Sequence, residues 1–226
     1  SYLKTIGYII CFNIFAFSTN AEESNDLNRI FLALKLDRLF EEIREEGLIA
    51  AKEIASLDRL SNGRLDLGIG VGWLREEFDA LGVPFEARGA RTDEYVEALR
   101  VLWSETEAEF HGEFVNFDRS WAYPKPIQKP YPPILMGGET DYTLKRVVDY
   151  CDGWFPRGRG GFDAGESMRR LKNMADTSNR DMSTLSVSVF GAPPNEETIA
   201  SYKKAGINRA LFALPSENRD RILKLL

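Results

Sequence analysis

Short apolar runs and helical patterns alternate along the second half of the chain. The runs at 134–136, 154–156, 185–190 and 210–214 read as strands, and the stretches between them carry the 3.6-residue period of helices. Strands that alternate with helices pair in parallel through right-handed crossovers, with the helices outside the sheet. The pattern therefore predicts an α/β fold. It leaves two architectures open, a doubly wound sheet and a barrel of the triosephosphate isomerase kind.

A glycine-rich strand precedes this region. Residues 65–71 alternate apolar with small or polar side chains, as a strand does, and the pattern breaks at Gly72. The glycines Gly68, Gly70 and Gly72 remove side chains from one face and from the strand end, which lets a flat ligand or an anion approach the backbone. We therefore expect a ligand site at this strand end, with Trp73 either stacked on the ligand or plugging the barrel mouth.

Two later strand ends carry similar signals. Gly137 and Gly138 follow a strand and open a helix, an arrangement that offers backbone amides and the positive helix end to a phosphate. An ordinary tight turn is the alternative interpretation. Arg157 and Arg159 follow the next strand and are suited to pair with phosphate or carboxylate groups. Because parallel strands end at one edge of their sheet, these segments are predicted to converge on one ligand site.

Composition excludes several classes of function. The net charge is −6 and the basic residues are scattered, so we expect no nucleic-acid partner. Cys11 and Cys151 are the only cysteines, which gives neither a disulfide framework nor a paired metal-ligand spacing. His111 is the only histidine, which excludes a multi-histidine metal site. We therefore expect no metal.

The N-terminal region has two interpretations. Lys4, the apolar run 6–17 and the small residues 18–21 follow the order of a secretory signal peptide, and a buried strand is the alternative. A signal at 1–21 would mean export; without one we expect a cytoplasmic protein. No other apolar run approaches membrane-spanning length, so no membrane association of the mature protein is expected. Residues 28–46 follow with the period of an amphipathic helix.

The spacing of apolar residues changes twice in the middle of the chain. Residues 92–103 predict a helix with Thr92 as its N-cap. Residues 110–117 then predict a short hairpin, and five prolines between 124 and 133 predict an extended crossing segment. A proline-rich docking ligand for a partner domain is the alternative, but the prolines lead directly into an apolar strand.

Two long strings carry a family resemblance. AKEIASLDRLSNGRL at 51–65 and GIGVGWLREEF at 68–78 resemble the bacterial luciferase-like monooxygenase superfamily, in its branch that depends on coenzyme F420. Shorter motifs follow in the family's order, namely RGARTDE at 88–94, FHG at 110–112, PKP at 124–126, PPI at 132–134, GG at 137–138 and DGW at 152–154. The resemblance runs from about Leu48 to the C-terminus. It predicts a non-family segment at 1–47 and a barrel domain at 48–226, with the hairpin and proline-rich insertion at 109–133.

The resemblance implies a flavin-type barrel with F420, or FMN as the alternative, across the C-terminal strand ends. By position, the resemblance predicts that the ring lies near Gly70, Gly72 and Trp73, with Glu76 close by. It also predicts that the backbone amides of Gly137, Gly138 and Glu139 hold the phosphate and that Arg157 and Arg159 meet the acidic tail. No catalytic residue is assigned.

The chain departs from this family at its start. Family members begin with three further strand–helix units, and nothing before Leu48 resembles them, so we expect an incomplete barrel. The predicted function is an oxidoreductase that transfers a hydride between F420 or FMN and a small organic substrate. A truncated, catalytically incompetent binding or dimerisation module is the alternative. The expected partners are the small-molecule substrate and, as an open alternative, a second copy in a homodimer.

Overall fold

The computed structural model describes residues 49–213 and three short strands before them, β1 (Ile10–Cys11), β2 (Ala16–Ser18) and β3 (Ile30–Lys35). The chain divides into two compact units. Within 49–213 the boundary follows Ile134, and we call 49–134 the first unit and 135–213 the second unit.

The N-terminal strands correct one prediction. β3 (Ile30–Lys35) pairs antiparallel with β1, Ile10 opposite Ala33, so the helix predicted for 28–46 is wrong over these residues. Six residues dominated by apolar side chains suit a strand as well as a buried helix, and pairing with a neighbour decides between them. Within the run 6–17, β1 and the first residues of β2 are strands, and β2 pairs antiparallel with the last strand of the chain. Residues 36–46 lie outside the described part.

The first unit begins with helix α1 (49–60) and strand β4 (Leu65–Gly70). Leu65, Leu67 and Ile69 are almost completely buried, which confirms the predicted strand. The backbone N–H of Leu67 donates to the carbonyl of Pro133, 2.8 Å away, and so ties the strand to the end of the proline-rich segment.

Helices α2 (Arg75–Ala80) and α3 (Arg88–Ser104) follow β4. The prediction of Thr92 as an N-cap is wrong, because α3 begins four residues earlier and the Thr92 hydroxyl donates to the carbonyl of Arg88 at 2.8 Å. A threonine inside a helix commonly donates to the carbonyl one turn back, which removes it from the capping role. The apolar stripe of α3 is buried as predicted, at Tyr95, Val96, Leu99, Leu102 and Trp103.

The predicted hairpin is present. It consists of β5 (Ala108–His111) and β6 (Asn116–Ser120), which pair antiparallel with Phe110 opposite Phe117. Its connecting loop is held by Glu94 of α3, whose carboxylate accepts the N–H groups of Glu113, Phe114 and Val115 at 2.8, 2.7 and 3.1 Å.

The proline-rich segment is held in a similar way. Asp58 of α1 is fully buried, and one of its carboxylate oxygens accepts the backbone N–H groups of Ile127 and Gln128 at 2.8 and 3.0 Å. The other oxygen accepts the Gln128 side-chain amide at 2.7 Å, and that amide also donates to the carbonyl of Leu65. A carboxylate that accepts several N–H groups satisfies backbone donors that would otherwise be costly to bury.

The second unit alternates strands and helices as predicted. The strands are β7 (Ile134–Gly137, of which the last three residues belong to this unit), β8 (Gly153–Phe155), β9 (Ser186–Phe190) and β10 (Arg209–Leu211). They lie side by side in that order and pair in parallel. The helices are α4 (Asp141–Tyr150), α5 (Ala164–Thr177) and α6 (Glu196–Ala205), with a single 3-10 turn at Met182–Thr184. The α/β fold class with parallel strands is therefore confirmed.

Candidate cofactor site

The end of β4 forms a sharp turn at Gly72. The backbone φ of Gly72 is +80°, and a Cβ there would lie 2.6 Å from the ring of Phe78 in α2. The Arg88 Nε donates to the Gly72 carbonyl at 3.3 Å. The space that Gly72 leaves is therefore filled by Phe78, whereas a Cβ at Gly70 would meet nothing within 4 Å. Of Gly70 and Gly72, it is therefore Gly70 that leaves open space for a ligand.

Trp73 and Glu76 follow this turn. The Trp73 side chain is 77% exposed, and Glu76 lies exposed in the first turn of α2. An exposed indole beside an open backbone offers a flat apolar surface that can stack on an aromatic ring. Gly70, Gly72, Trp73 and Glu76 all lie within one short stretch of the first unit, and they are the residues predicted to contact the ring.

The turn at 137–140 joins β7 to α4 in the second unit. Gly138 has a φ of +117°, and a Cβ there would lie 2.8 Å from the Thr143 Oγ1. Thr140 caps α4 by accepting the N–H of Thr143 at 3.2 Å. The turn therefore requires glycine at 138 and leads directly into a capped ten-residue helix.

Glu139 and Arg157 form a bidentate ion pair within this unit. The Arg157 Nε and Nη2 donate to the two carboxylate oxygens at 3.0 and 2.8 Å, and its backbone N–H donates at 3.0 Å. Partial burial on its own would raise the pKa of Glu139, but these hydrogen bonds and the charge of Arg157 lower the pKa below the ordinary value of a glutamate. The pKa of Arg157 is raised, mainly by the same hydrogen bonds. An anion that approaches Arg157 must therefore compete with the Glu139 carboxylate.

The loop at 157–161 lies against the end of β9. The N–H of Gly158 donates to the Phe190 carbonyl at 2.6 Å, and a Cβ at Gly158 would lie 2.8 Å from the Cα of Ala192. The Arg159 side chain lies beside Gly191, with its Nε 3.3 Å from where a Cβ would stand. Arg157 thus contacts the 137–140 turn, while Arg159 lies beside Gly191.

Sequence reasoning missed two donors to the 137–140 turn. The Trp154 Nε1 donates to the Gly138 carbonyl at 2.7 Å, and the Arg170 Nη2 donates to the Glu139 carbonyl at 3.2 Å. Trp154 belongs to the motif DGW, which supports the family resemblance but does not predict a contact between the tryptophan and this turn. Arg170 lies on α5, and no local pattern distinguishes it from the neighbouring Arg169.

Neither a metal cluster nor a membrane-crossing helix is found where the structure can be described. Among residues 49–213, no three His, Cys, Asp or Glu side chains are grouped so that they could hold a metal ion. No described helix combines the length and the apolar character needed to cross a bilayer.

Comparison with known proteins identifies the family. Residues 46–213 match the family model described as luciferase-like monooxygenase. The chain belongs to this family. The parallel strands and crossover helices are those of an incomplete barrel of the triosephosphate isomerase kind, as predicted.

Individual relatives agree with this assignment. The chain is 35% identical over 179 residues to the uncharacterized protein Rv0953c of Mycobacterium tuberculosis, covering 79% of this chain and 62% of the relative. It is 33% identical over 131 residues to an FMNH(2)-dependent dimethylsulfone monooxygenase of Pseudomonas putida, covering 57% of this chain and 34% of the relative. The chain therefore spans less than two thirds of the length of these relatives.

A solved structure shares the fold. The coenzyme F420 dependent tetrahydromethanopterin reductase from Methanopyrus kandleri superposes with a TM-score of 0.56 at 22% identity, over 65% of this chain and 46% of that one. At this identity the likeness concerns the fold.

Proposed function

We propose that this protein is an oxidoreductase that transfers a hydride between coenzyme F420, or FMN as the alternative, and a small organic substrate. Family membership supports the reaction class, and the related monooxygenase of Pseudomonas putida is FMNH(2)-dependent. The observation that carries the proposal is the 137–140 turn, where a glycine that admits no side chain stands at the start of a capped helix.

The 137–140 turn fits a phosphate group. F420 and FMN both carry phosphate, and a helix N-terminus favours an anion through its amides and its dipole. Gly137 ends β7, and Gly138 and Glu139 connect it to Thr140, the N-cap of α4, so we assign the phosphate to the amides of Gly137, Gly138 and Glu139. The ion pair with Arg157 neutralises the Glu139 carboxylate, which would otherwise repel an anion. The second unit is thus proposed to hold the phosphate, with Arg159 and Arg157 assigned to the acidic tail, which must compete with the Glu139 carboxylate for Arg157.

The end of β4 fits an aromatic ring. We assign ring contacts to the open backbone at Gly70, the turn at Gly72 and the exposed indole of Trp73, with Glu76 one helical turn further along. The bound cofactor supplies the redox chemistry, either hydride transfer at the deazaflavin or reaction of reduced FMN with oxygen. The chain's own residues bind the ring and orient it.

The second candidate is a binding or dimerisation module without turnover. We further propose a domain at 48–226 that follows a non-family segment at 1–47. We also propose a cytoplasmic location, where such cofactors are supplied, with export as the alternative if residues 1–21 act as a signal.

Titration of the purified chain with F420 and with FMN, followed by cofactor fluorescence, tests the proposal. We expect saturable binding of one of them by protein that melts cooperatively. Absence of binding by the folded protein would contradict the proposal. Binding without hydride transfer from the reduced cofactor to small ketones, or from small alcohols to the oxidised cofactor, would favour the second candidate.

The ring assignment has its own test. Trp73→Ala should weaken cofactor binding by about fivefold, since an aromatic contact contributes about 1 kcal/mol. Trp121→Ala is the matched control, because Trp121 is 68% exposed and has no assigned role. Equal losses in both variants, or none in Trp73→Ala, would contradict a ring contact at Trp73.

A further inference from the structure

We propose that Trp154 and Arg170 are positioning residues that fix two peptide planes of the 137–140 turn, and thereby aim two amides at the cofactor phosphate. This inference rests on the proposed function and adds residues to which no cofactor role is assigned above. Both residues act on carbonyl groups of the turn.

Trp154 fixes the first peptide plane. Its side chain is 1% exposed, and its Nε1 donates to the Gly138 carbonyl at 2.7 Å. The peptide between Gly138 and Glu139 is trans, and in a trans peptide the C=O and the following N–H point in opposite directions. Because the Gly138 carbonyl points to the indole, the N–H of Glu139 points away from it.

Arg170 fixes the next peptide plane in the same way. Its Nη2 donates to the Glu139 carbonyl at 3.2 Å and to the Asp141 Oδ1 at 2.7 Å. The N–H of Thr140 therefore points away from the Arg170 guanidinium. Since Asp141 begins α4, this contact also ties the turn to the helix.

The two donors orient the turn before any ligand arrives. The two carbonyl oxygens already accept hydrogen bonds from side chains, so they are held away from the anion. The N–H groups of the same two peptides then need no reorganisation to bind it. Loss of either donor leaves its peptide plane free to rotate. Loss of a donor should therefore weaken phosphate binding, in addition to the loss of folding stability that follows from removing one hydrogen bond.

The first unit supplies a matched control. Trp103 is also 1% exposed, and its Nε1 donates to the Ala51 carbonyl at 2.9 Å. Trp103→Phe and Trp154→Phe therefore remove the same donor from equally buried sites. If the Trp154 indole has only a structural role, both substitutions should lower stability and leave the preference for phosphate unchanged.

The experiment compares phosphate preference in these variants. Phosphate preference is a ratio of two dissociation constants. If the wild type binds FMN, it is the dissociation constant of riboflavin divided by that of FMN. If the wild type binds F420, it is the dissociation constant of the tail-free deazaflavin chromophore divided by that of F420. We expect similar falls in melting temperature for both variants. We expect a loss of preference of about five- to tenfold for Trp154→Phe only, the value of one neutral hydrogen bond.

Arg170→Gln keeps the inference falsifiable if Trp154→Phe does not fold. Its control is Arg169→Gln, since Arg169 is on the same helix and pairs with Glu166 instead. Preference should fall by about fivefold in Arg170→Gln and stay unchanged in Arg169→Gln.

Unchanged preference in the folded Trp154 and Arg170 variants, or equal loss in a variant and its control, would overturn the positioning role. A wild type that binds the cofactor without any preference for its phosphate would overturn the phosphate assignment and the positioning role together. A wild type that binds neither cofactor would overturn the proposed function.

Discussion

The helices of the second unit begin with side-chain caps, whereas α2 and α3 of the first unit begin without them. Thr140, Asp163 and Asn195 each accept the N–H of the residue three positions later. The corresponding positions of α2 and α3 are Leu74 and Ala87, with no side-chain cap. Local hydrogen bonds thus define where the second unit's helices start, and α2 and α3 must be positioned in another way.

Long-range carboxylates on α1 and α3 hold the irregular segments of the first unit. Asp58 binds amides 69 and 70 residues further along the chain, and Glu94 binds amides 19 to 21 residues away. Each of them joins a helix to a segment without regular secondary structure. The comparison teaches that this fold is held locally where strands and helices alternate and by distant side chains where they do not.

Replacing Asp58 should have the largest effect. Asp58→Ala leaves two backbone amides and the Gln128 side chain without their buried acceptor, and we expect a loss of about 3 kcal/mol in the free energy of unfolding. Urea unfolding measures it, with the exposed Asp79→Ala as control. A loss no larger than that for Asp79→Ala would contradict the role of Asp58 in holding the proline-rich segment.

Glu94 should come next. Glu94→Ala removes the acceptor of three amides at a partly exposed site, so we expect a loss of about 1–2 kcal/mol. Hydrogen exchange should speed up at residues 113–115. Glu97→Ala, an exposed glutamate on the same helix, should leave that exchange unchanged. Exchange that stays slow in Glu94→Ala would contradict the anchoring role.

The caps of the second unit should each contribute less. Asp163→Ala and Asn195→Ala should each lower the free energy of unfolding by about 1 kcal/mol, since each removes one acceptor from a helix start. Urea unfolding measures the loss, with Ser167→Ala inside α5 as the control. A loss above that for Asp58→Ala would reverse the comparison between the units.

The pH dependence of the Glu139–Arg157 pair should be the smallest effect. The folded state lowers the pKa of Glu139, so the pair stabilises the protein fully above the unfolded pKa, and this contribution is lost as the pH falls through the folded pKa. Both side chains are partly exposed, so we expect only about 0.5 kcal/mol. The stability difference between wild type and Glu139→Gln should be constant above about pH 6 and shrink below about pH 4. A difference that grows on acidification would contradict the pairing.

The same contrast explains what the sequence could reveal. The strands β7 to β10 follow from short-range patterns, and the glycines of the 137–140 turn were predicted from residues next to one another. Thr92 and residues 30–35 were misassigned because a carbonyl one turn back and an antiparallel neighbour override local preference. Trp154 and Arg170 reach the turn from 16 and 31 residues away, a distance that periodicity does not encode.

The most direct test of the account is the amide spectrum of the protein, assigned by NMR and recorded during titration with F420 or FMN. The account predicts that the amide resonances of Glu139 and Thr140 shift most with the intact cofactor and much less with the chromophore that lacks phosphate. Amides 113–115, which are held by Glu94, should stay in place and serve as the internal reference. Saturation by the cofactor without a shift at Glu139 and Thr140 would contradict the account.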